Sequence, residues 1–214
     1  MIVRLTETKG GDTMKANIMQ FLVAIAIAIT LLIGPAAAAD PSDRVLGRAD
    51  APVRVVEYFS FSCPHCERFH RELFPWLKRD YVDSGKVAFV ARDFPLNRAA
   101  LAAAKAARCG GDDRYFELVD VIWADWDNWI GEKDVKPPLQ RLLVDNGIAA
   151  DTAAGCLDDG GAVEDDILKS MKTALDEVGI DGTPTFLING DKLAGLPGKA
   201  QLKTALDDAL AAAQ

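Results

Sequence analysis

Residues 53–74 read VRVVEYFSFSCPHCERFHRELF, and within them the periodicity changes once. From Val53 to Phe61 apolar residues fall on both faces of the pattern, as in a central strand covered by helices on each side. From Pro64 to Asp80 the spacing turns helical, with Phe69, Leu73, Trp76 and Leu77 as the buried stripe and Pro75 expected to kink it. The change falls on Cys63-Pro64-His65-Cys66. A cysteine where a strand feeds a helix faces unpaired N–H groups and the positive end of the helix dipole, so its thiolate is favoured over its thiol. Cys63 is therefore the candidate nucleophile. Cys66, one turn further along the same face, can close a short disulfide after Cys63 has attacked a partner and is the resolving thiol.

The same four letters are also half of a zinc site. No second CxxC follows, and His65 and His70 are the only histidines. A four-ligand site would have to recruit Cys109 or Cys156 from far along the chain, so the motif is read as redox-active, with no metal and no other cofactor expected.

Downstream, Lys86 to Arg92 reads as a second strand ending at Asp93-Phe94-Pro95-Leu96. Strand, helix and strand with a connection of this length imply a right-handed parallel crossover. Residues 98–178 read as helical throughout. Ala99 to Cys109 is alanine-rich and stops at Gly110-Gly111. Asp112 is expected to cap a helix carrying Phe116, Val119, Ile122 and Trp126, and Leu139 to Asn146 ends at Gly147. Asp151 is expected to cap a short helix, and Ile167, Met171 and Leu175 form the apolar line of another that ends at Gly179. Trp123, Trp126 and Trp129 recur every three residues, a spacing read as helix core. The sheet then resumes with Thr185 to Ile188, a turn at Asn189-Gly190, and a return over Lys192 to Leu196. Leu202, Leu206, Ala209 and Leu210 mark a closing helix. The expected class is α/β, βαβ followed by ββα, with residues 40–97 and 179–214 forming one unit and 98–178 a helical insertion.

Upstream lies a polar lead-in, PSDRVLGRADAP, without heptads and too short for a dimerisation stalk, so the first strand is expected at Val53 to Phe61. Residues 1–39 read as an export leader: Lys15 is followed by an apolar stretch from Phe21 to Ile33 broken only by Thr30, then by Gly34-Pro35 and four alanines ending at Ala39. Met14 is an alternative start. An apolar core of 13 residues is short for a membrane span of roughly 20, which favours cleavage near Ala39 over an anchor. The chain carries 24 basic and 32 acidic residues, and beyond the leader 21 basic stand against 30 acidic. Such acidity argues against a nucleic-acid or anionic-membrane partner. An exported, periplasmic chain meets an oxidising compartment where a reactive dithiol has substrates.

VVEYFSFSCPHC, the RDFPL turn and Gly182-Thr183-Pro184-Thr185, in this order of elements, resemble the DsbA-like branch of the thioredoxin superfamily over essentially all of residues 45 to 212. The resemblance implies a thioredoxin fold with a helical insert and a cis Pro184 beside the disulfide. An X-Pro bond taken alone is cis in only about 5–6% of cases, so the assignment comes from the family. The implied activity is thiol oxidation, in which a substrate thiolate attacks the Cys63–Cys66 disulfide and a second thiol then displaces Cys63. Reduced exported proteins would be the substrates and a membrane quinone-linked protein of the DsbB type the recycling partner. A monomer is expected.

Pro64 and His65 would tune the Cys63 sulfur, with His65 best able to add a donor or partial charge. Glu57 would relay the proton of Cys66, the alternative being a sheet-edge carboxylate paired with a lysine. In the family the residue at Thr183 hydrogen-bonds an extended substrate through its backbone. Threonine there departs from the valine of the best-known oxidases and leaves isomerase or reductase as alternatives. A non-catalytic metal-binding or peptide-holding module is a further one. Related proteins carry a second cysteine pair, which implies a structural disulfide between Cys109 and Cys156, the alternative being two buried thiols.

Overall fold

The computed structural model describes residues 43–213, so the leader assigned to residues 1–39 lies outside the described residues. A five-stranded mixed sheet is built from β1 (Arg44–Leu46), β2 (Val53–Phe59), β3 (Val87–Asp93), β4 (Thr185–Ile188) and β5 (Asp191–Ala194), in the order β1-β3-β2-β4-β5. Strands β2 and β3 are parallel, with Val53 opposite Val87 and Phe59 opposite Asp93, while β4 runs antiparallel to β2 and sets Phe186 opposite Glu57. The long βαβ connection and the tight Asn189-Gly190 hairpin dictate these directions. Asn189 and Gly190 both take positive φ, 48° and 100°, the geometry of a two-residue turn that follows strand twist. The fold is the α/β, thioredoxin-like one.

Helix α1 (Pro64–Glu72) follows β2 after the turn over residues 60–63, and α2 (Phe74–Leu77) continues it. The break lies at Leu73, two residues before Pro75, which occupies the first turn of α2; proline there lacks only an N–H that a helix start leaves unpaired. Between β3 and β4 come α3 (Arg98–Arg108), α4 (Tyr115–Ala124), α5 (Trp126–Trp129), α6 (Lys136–Asp145), α7 (Ala150–Cys156) and α8 (Ala162–Thr173). The alanines of α3 let neighbouring helices approach closely, and Ala103, Ala106 and Ala107 are fully buried. Helix α9 (Lys199–Ala212) buries Leu202 and Leu206 and packs on β2 and β4. Among the described residues no helix is long and apolar enough to cross a membrane.

Several local expectations need correction. The lead-in contains β1, which pairs antiparallel with β3; three residues are too few to show a period. It turns at Gly47, whose φ is +90° and where a Cβ would stand 2.7 Å from Val82 Cγ1. Strand β2 ends at Phe59 because Ser60 and Phe61 already belong to a turn closed by the Cys63 N–H on the Ser60 carbonyl at 3.0 Å. Asp112 caps no helix and instead pairs with Arg44 at 2.9 Å, while Asp151 sits inside the first turn of α7 after Ala149. The side-chain cap is Asn97, whose Oδ1 accepts from the Ala100 N–H at 2.9 Å. Leu175 is exposed, because a π-turn over Ala174–Val178 rotates the face and buries Ala174 in its place.

Candidate active site

Cys63 occupies the N-cap of α1 in an extended conformation, with Pro64 at the first helical position. Pro64 has no N–H to compete, so the donors that reach the sulfur are those of the following residues. The loop is held from beneath by Ser60, which is buried and whose hydroxyl accepts from the backbone N–H groups of Ser62 at 3.3 Å and Leu96 at 3.2 Å. On the far side, the Thr183–Pro184 peptide bond is cis, and the thiol of Cys63 donates to the Thr183 carbonyl at 3.3 Å. Cys63, Cys66, Thr183 and Pro184 are thus brought together from segments 120 residues apart.

The two thiols have opposed acidities. Cys63 is lowered from the ordinary 9.0 to about 5, chiefly by a hydrogen bond from the Cys66 thiol. The Thr183 side chain and the backbone N–H groups of Cys66 and His65 add to this, against the effect of burial. Cys66, with 0% exposure against 6% for Cys63, is pushed far up by burial, by its hydrogen bond to Cys63 and by the negative field of Glu57. His65 and Pro64 are exposed, and what His65 brings to the sulfur is its main-chain N–H.

Glu57 stands in the middle of the central strand with no exposure, so the sheet-edge alternative does not apply. Its Oε2 lies 2.9 Å from Nε2 of His70, also buried, while Glu57 Oε1 and His70 Nδ1 have no hydrogen-bond partner in the protein. The imidazole stacks on Trp123 at 5.0 Å and 19°. In the sequence His70 is only one of the two histidines available to a metal site. The signal for more was its place on α1: four residues after Cys66, beside Phe69 of the buried stripe, where a polar ring needs a partner.

The helical segment meets the site through its tryptophans. Trp126 Nε1–H donates to the Phe61 carbonyl at 2.6 Å, and Trp123 packs on Phe61 at 4.7 Å. Trp129 is wholly buried and donates to the Ile122 carbonyl at 3.0 Å. Away from the site, Cys109 at the end of α3 and Cys156 at the end of α7 form a disulfide. Asp93, buried at the end of β3, accepts from Arg108 Nη2 at 2.6 Å and Nε at 3.0 Å. Among the described residues no three His, Cys, Asp or Glu side chains are grouped to hold a metal ion.

A family model described as Thioredoxin matches residues 39–208. A Rickettsia bellii chain described as a protein-disulfide oxidoreductase is 36% identical over 156 residues, a match covering 71% of this chain and 58% of that one. A Bacillus cereus chain described as disulfide bond formation protein D is 27% identical, with 92% and 99% covered. The crystal structure of Wolbachia pipientis alpha-DsbA1 superposes with a TM-score of 0.76 at 28% identity, covering 83% of this chain and 95% of that one. The chain spans little more than half the length of its rickettsial relative but nearly all of the other two. With its strand order, its cysteine pair at the head of α1 and its cis proline beside them, it belongs to the thioredoxin family, in the DsbA-like branch.

Proposed function

We propose that the protein is an exported thiol-disulfide oxidoreductase that introduces disulfides into exported proteins through Cys63 and Cys66. The observation that carries the reading is the asymmetry of the two thiols: Cys63 is the outer sulfur at the head of α1, with its pKa lowered to about 5, and Cys66 is sealed behind it, with its pKa raised. Stabilising a thiolate stabilises the reduced pair, and whatever stabilises the reduced pair makes the disulfide a stronger oxidant. A substrate thiolate attacks Cys63 because its sulfur is the accessible one, and Cys66 leaves into a buried site that holds it as a thiol. The second substrate thiol then releases Cys63 as a thiolate, a good leaving group at neutral pH.

Thr183 supplies the backbone against which an extended substrate would lie, a mode of binding that reads main chain more than side chain and suits many partners. Glu57, whose field acts on Cys66, would relay its proton in this reading. The Cys109–Cys156 pair is structural in this reading. The leader sequence supports export to an oxidising compartment, a membrane quinone-linked protein of the DsbB type would restore the disulfide, and the protein acts as a monomer.

Thr183 favours a second reading, isomerase or reductase, since threonine stands where the best-known oxidases have valine. The reduction potential of the Cys63–Cys66 couple separates the two. A value toward the oxidising end, about −120 mV in DsbA, supports the oxidase, and one near that of thioredoxin, about −270 mV, replaces it with the reductase.

A further inference from the structure

We propose that His70 is a positioning residue for proton transfer at the dithiol: it links Glu57 to an open cavity beside α1, so that protons reach Cys66 from solvent through an imidazole and a carboxyl group. The inference rests on the thiol–disulfide reading above and deepens it.

The need for such a route follows from burial. When a thiolate attacks Cys63, a bond forms from the incoming sulfur to Cys63, the Cys63–Cys66 bond breaks, and its electron pair goes to Cys66. Cys66 is sealed from solvent, so a charge left there is unfavourable unless a proton arrives with it. Glu57, whose field acts on Cys66, is equally sealed and has no route to water of its own. Its hydrogen-bond partner His70 lies nearer the surface, with 7% exposure, and the sealed, unpartnered Nδ1 of that ring is the atom that cavity water must meet. His70 borders a cavity of about 350 Å³ between α1 and the α4–α5 corner, which Glu67, Asp120, Trp123 and Trp126 also line.

The proton balance is simple. One proton passes from His70 to the Glu57 carboxylate and from Glu57 to Cys66, and solvent in the cavity restores it to His70. When the second substrate thiolate attacks the mixed disulfide, the electron pair of its bond to Cys63 returns to Cys63, which stays a thiolate. Two electrons have passed from the substrate to the enzyme pair, the substrate's two thiol protons have gone to solvent, and one proton has been taken up at Cys66.

The groups around the ring suit this role. Glu57 faces it from β2 and Asp120 from α4, with Cys66, Glu67 and Arg71 on its own helix and Asp127 of α5 on the cavity wall. Asp120 is raised by burial while His70 and then Lys78 draw it down, so His70 and Asp120 act on each other electrostatically across the cavity. Phe59, Phe74 and Trp123 enclose the remaining ring faces and fix the imidazole against rotation.

The test is the rate at which dithiothreitol reduces the oxidised full chain, measured across pH and compared at equal thiolate concentration. His70→Phe keeps the stacking without a ring nitrogen, and His70→Gln keeps a donor for Glu57 without a transferable proton. Both are expected to slow the reaction by about tenfold or more and to flatten the pH profile, as is Glu57→Gln. Wild-type rates and profile in both His70 variants overturn the proposal, and a slow Glu57→Gln beside them would leave the carboxyl relay standing alone. A wild-type disulfide that does not react at all removes the thiol–disulfide reading itself. Should the variants fail to fold, the ¹⁵N spectrum of wild-type His70 decides: ring shifts that differ between oxidised and reduced protein at one pH are expected, and identical shifts overturn it.

Discussion

The sulfur of Cys63 lies 3.3 Å from the carbonyl oxygen of Thr183, the residue before the cis proline. That carbonyl can accept from a thiol but repels a thiolate, so the lowered pKa of Cys63 must come from donors strong enough to outweigh it. The Cys66 thiol is the largest of these, ahead of the main-chain N–H groups at the start of α1.

Replacing that donor separates its effect from the helix terminus. In Cys66→Ala the titration of Cys63 should move up from about 5 toward 9.0, while Cys66→Ser, which keeps a hydroxyl donor, should stay closer to the wild-type value. The pH dependence of alkylation at Cys63 in the two variants measures this. Equal values in the two would assign the effect to the backbone alone.

The same shift makes the reduced form's stability depend on pH. Cys63 falls from 9.0 unfolded to about 5 folded, so its contribution is absent below pH 5, grows from there upward and is complete above pH 9. At pH 7 it amounts to at most about 3 kcal/mol, less what solvent screens at the outer sulfur. Cys66 stays a thiol in both states below pH 9 and adds nothing there. Denaturation of the reduced and oxidised proteins should therefore show an excess stability of the reduced form at pH 7 that shrinks as pH falls through about 5.

Arg108 and Asp93 form a pair with side-chain exposures of 8% and 1%. Arg108→Ala leaves a buried carboxylate without its partner and should destabilise the fold by about 3–5 kcal/mol, whereas Arg108→Ala combined with Asp93→Asn should recover part of the loss. Urea midpoints read both.

The Cys109–Cys156 disulfide joins residues 47 apart in sequence. Changing both to alanine should lower stability by about 2–4 kcal/mol in urea, with the titration of Cys63 unchanged because the two sites share no contact. A shifted Cys63 titration would mean that the helical segment transmits strain to the dithiol.

Much of this architecture was legible because its signals are local. The change of period at Cys63, the turn at Asn189-Gly190 and the apolar stripe through Phe69 and Leu77 are each written in consecutive residues. What stayed hidden depends on partners remote in sequence. Strand β1 exists because Arg44 to Leu46 find an edge of β3, and Asp112 gives up a helix cap because Arg44 is near. Glu57 was singled out as an acidic residue in a strand suited to burial, but its partner His70 lies on a helix 13 residues away and no spacing rule joins the two. The carbonyl of Thr183 and the hydroxyl of Ser60 escape for the same reason: their roles come from backbone geometry and loop closure.

The central claim is that Cys63 is a thiolate at neutral pH in the reduced, folded protein, and thiolate ultraviolet absorbance recorded through an acid titration tests it most directly. The account predicts a single transition with a midpoint at about 5 and no second one before the alkaline range. A midpoint near 9.0, where an unperturbed cysteine titrates, would contradict it.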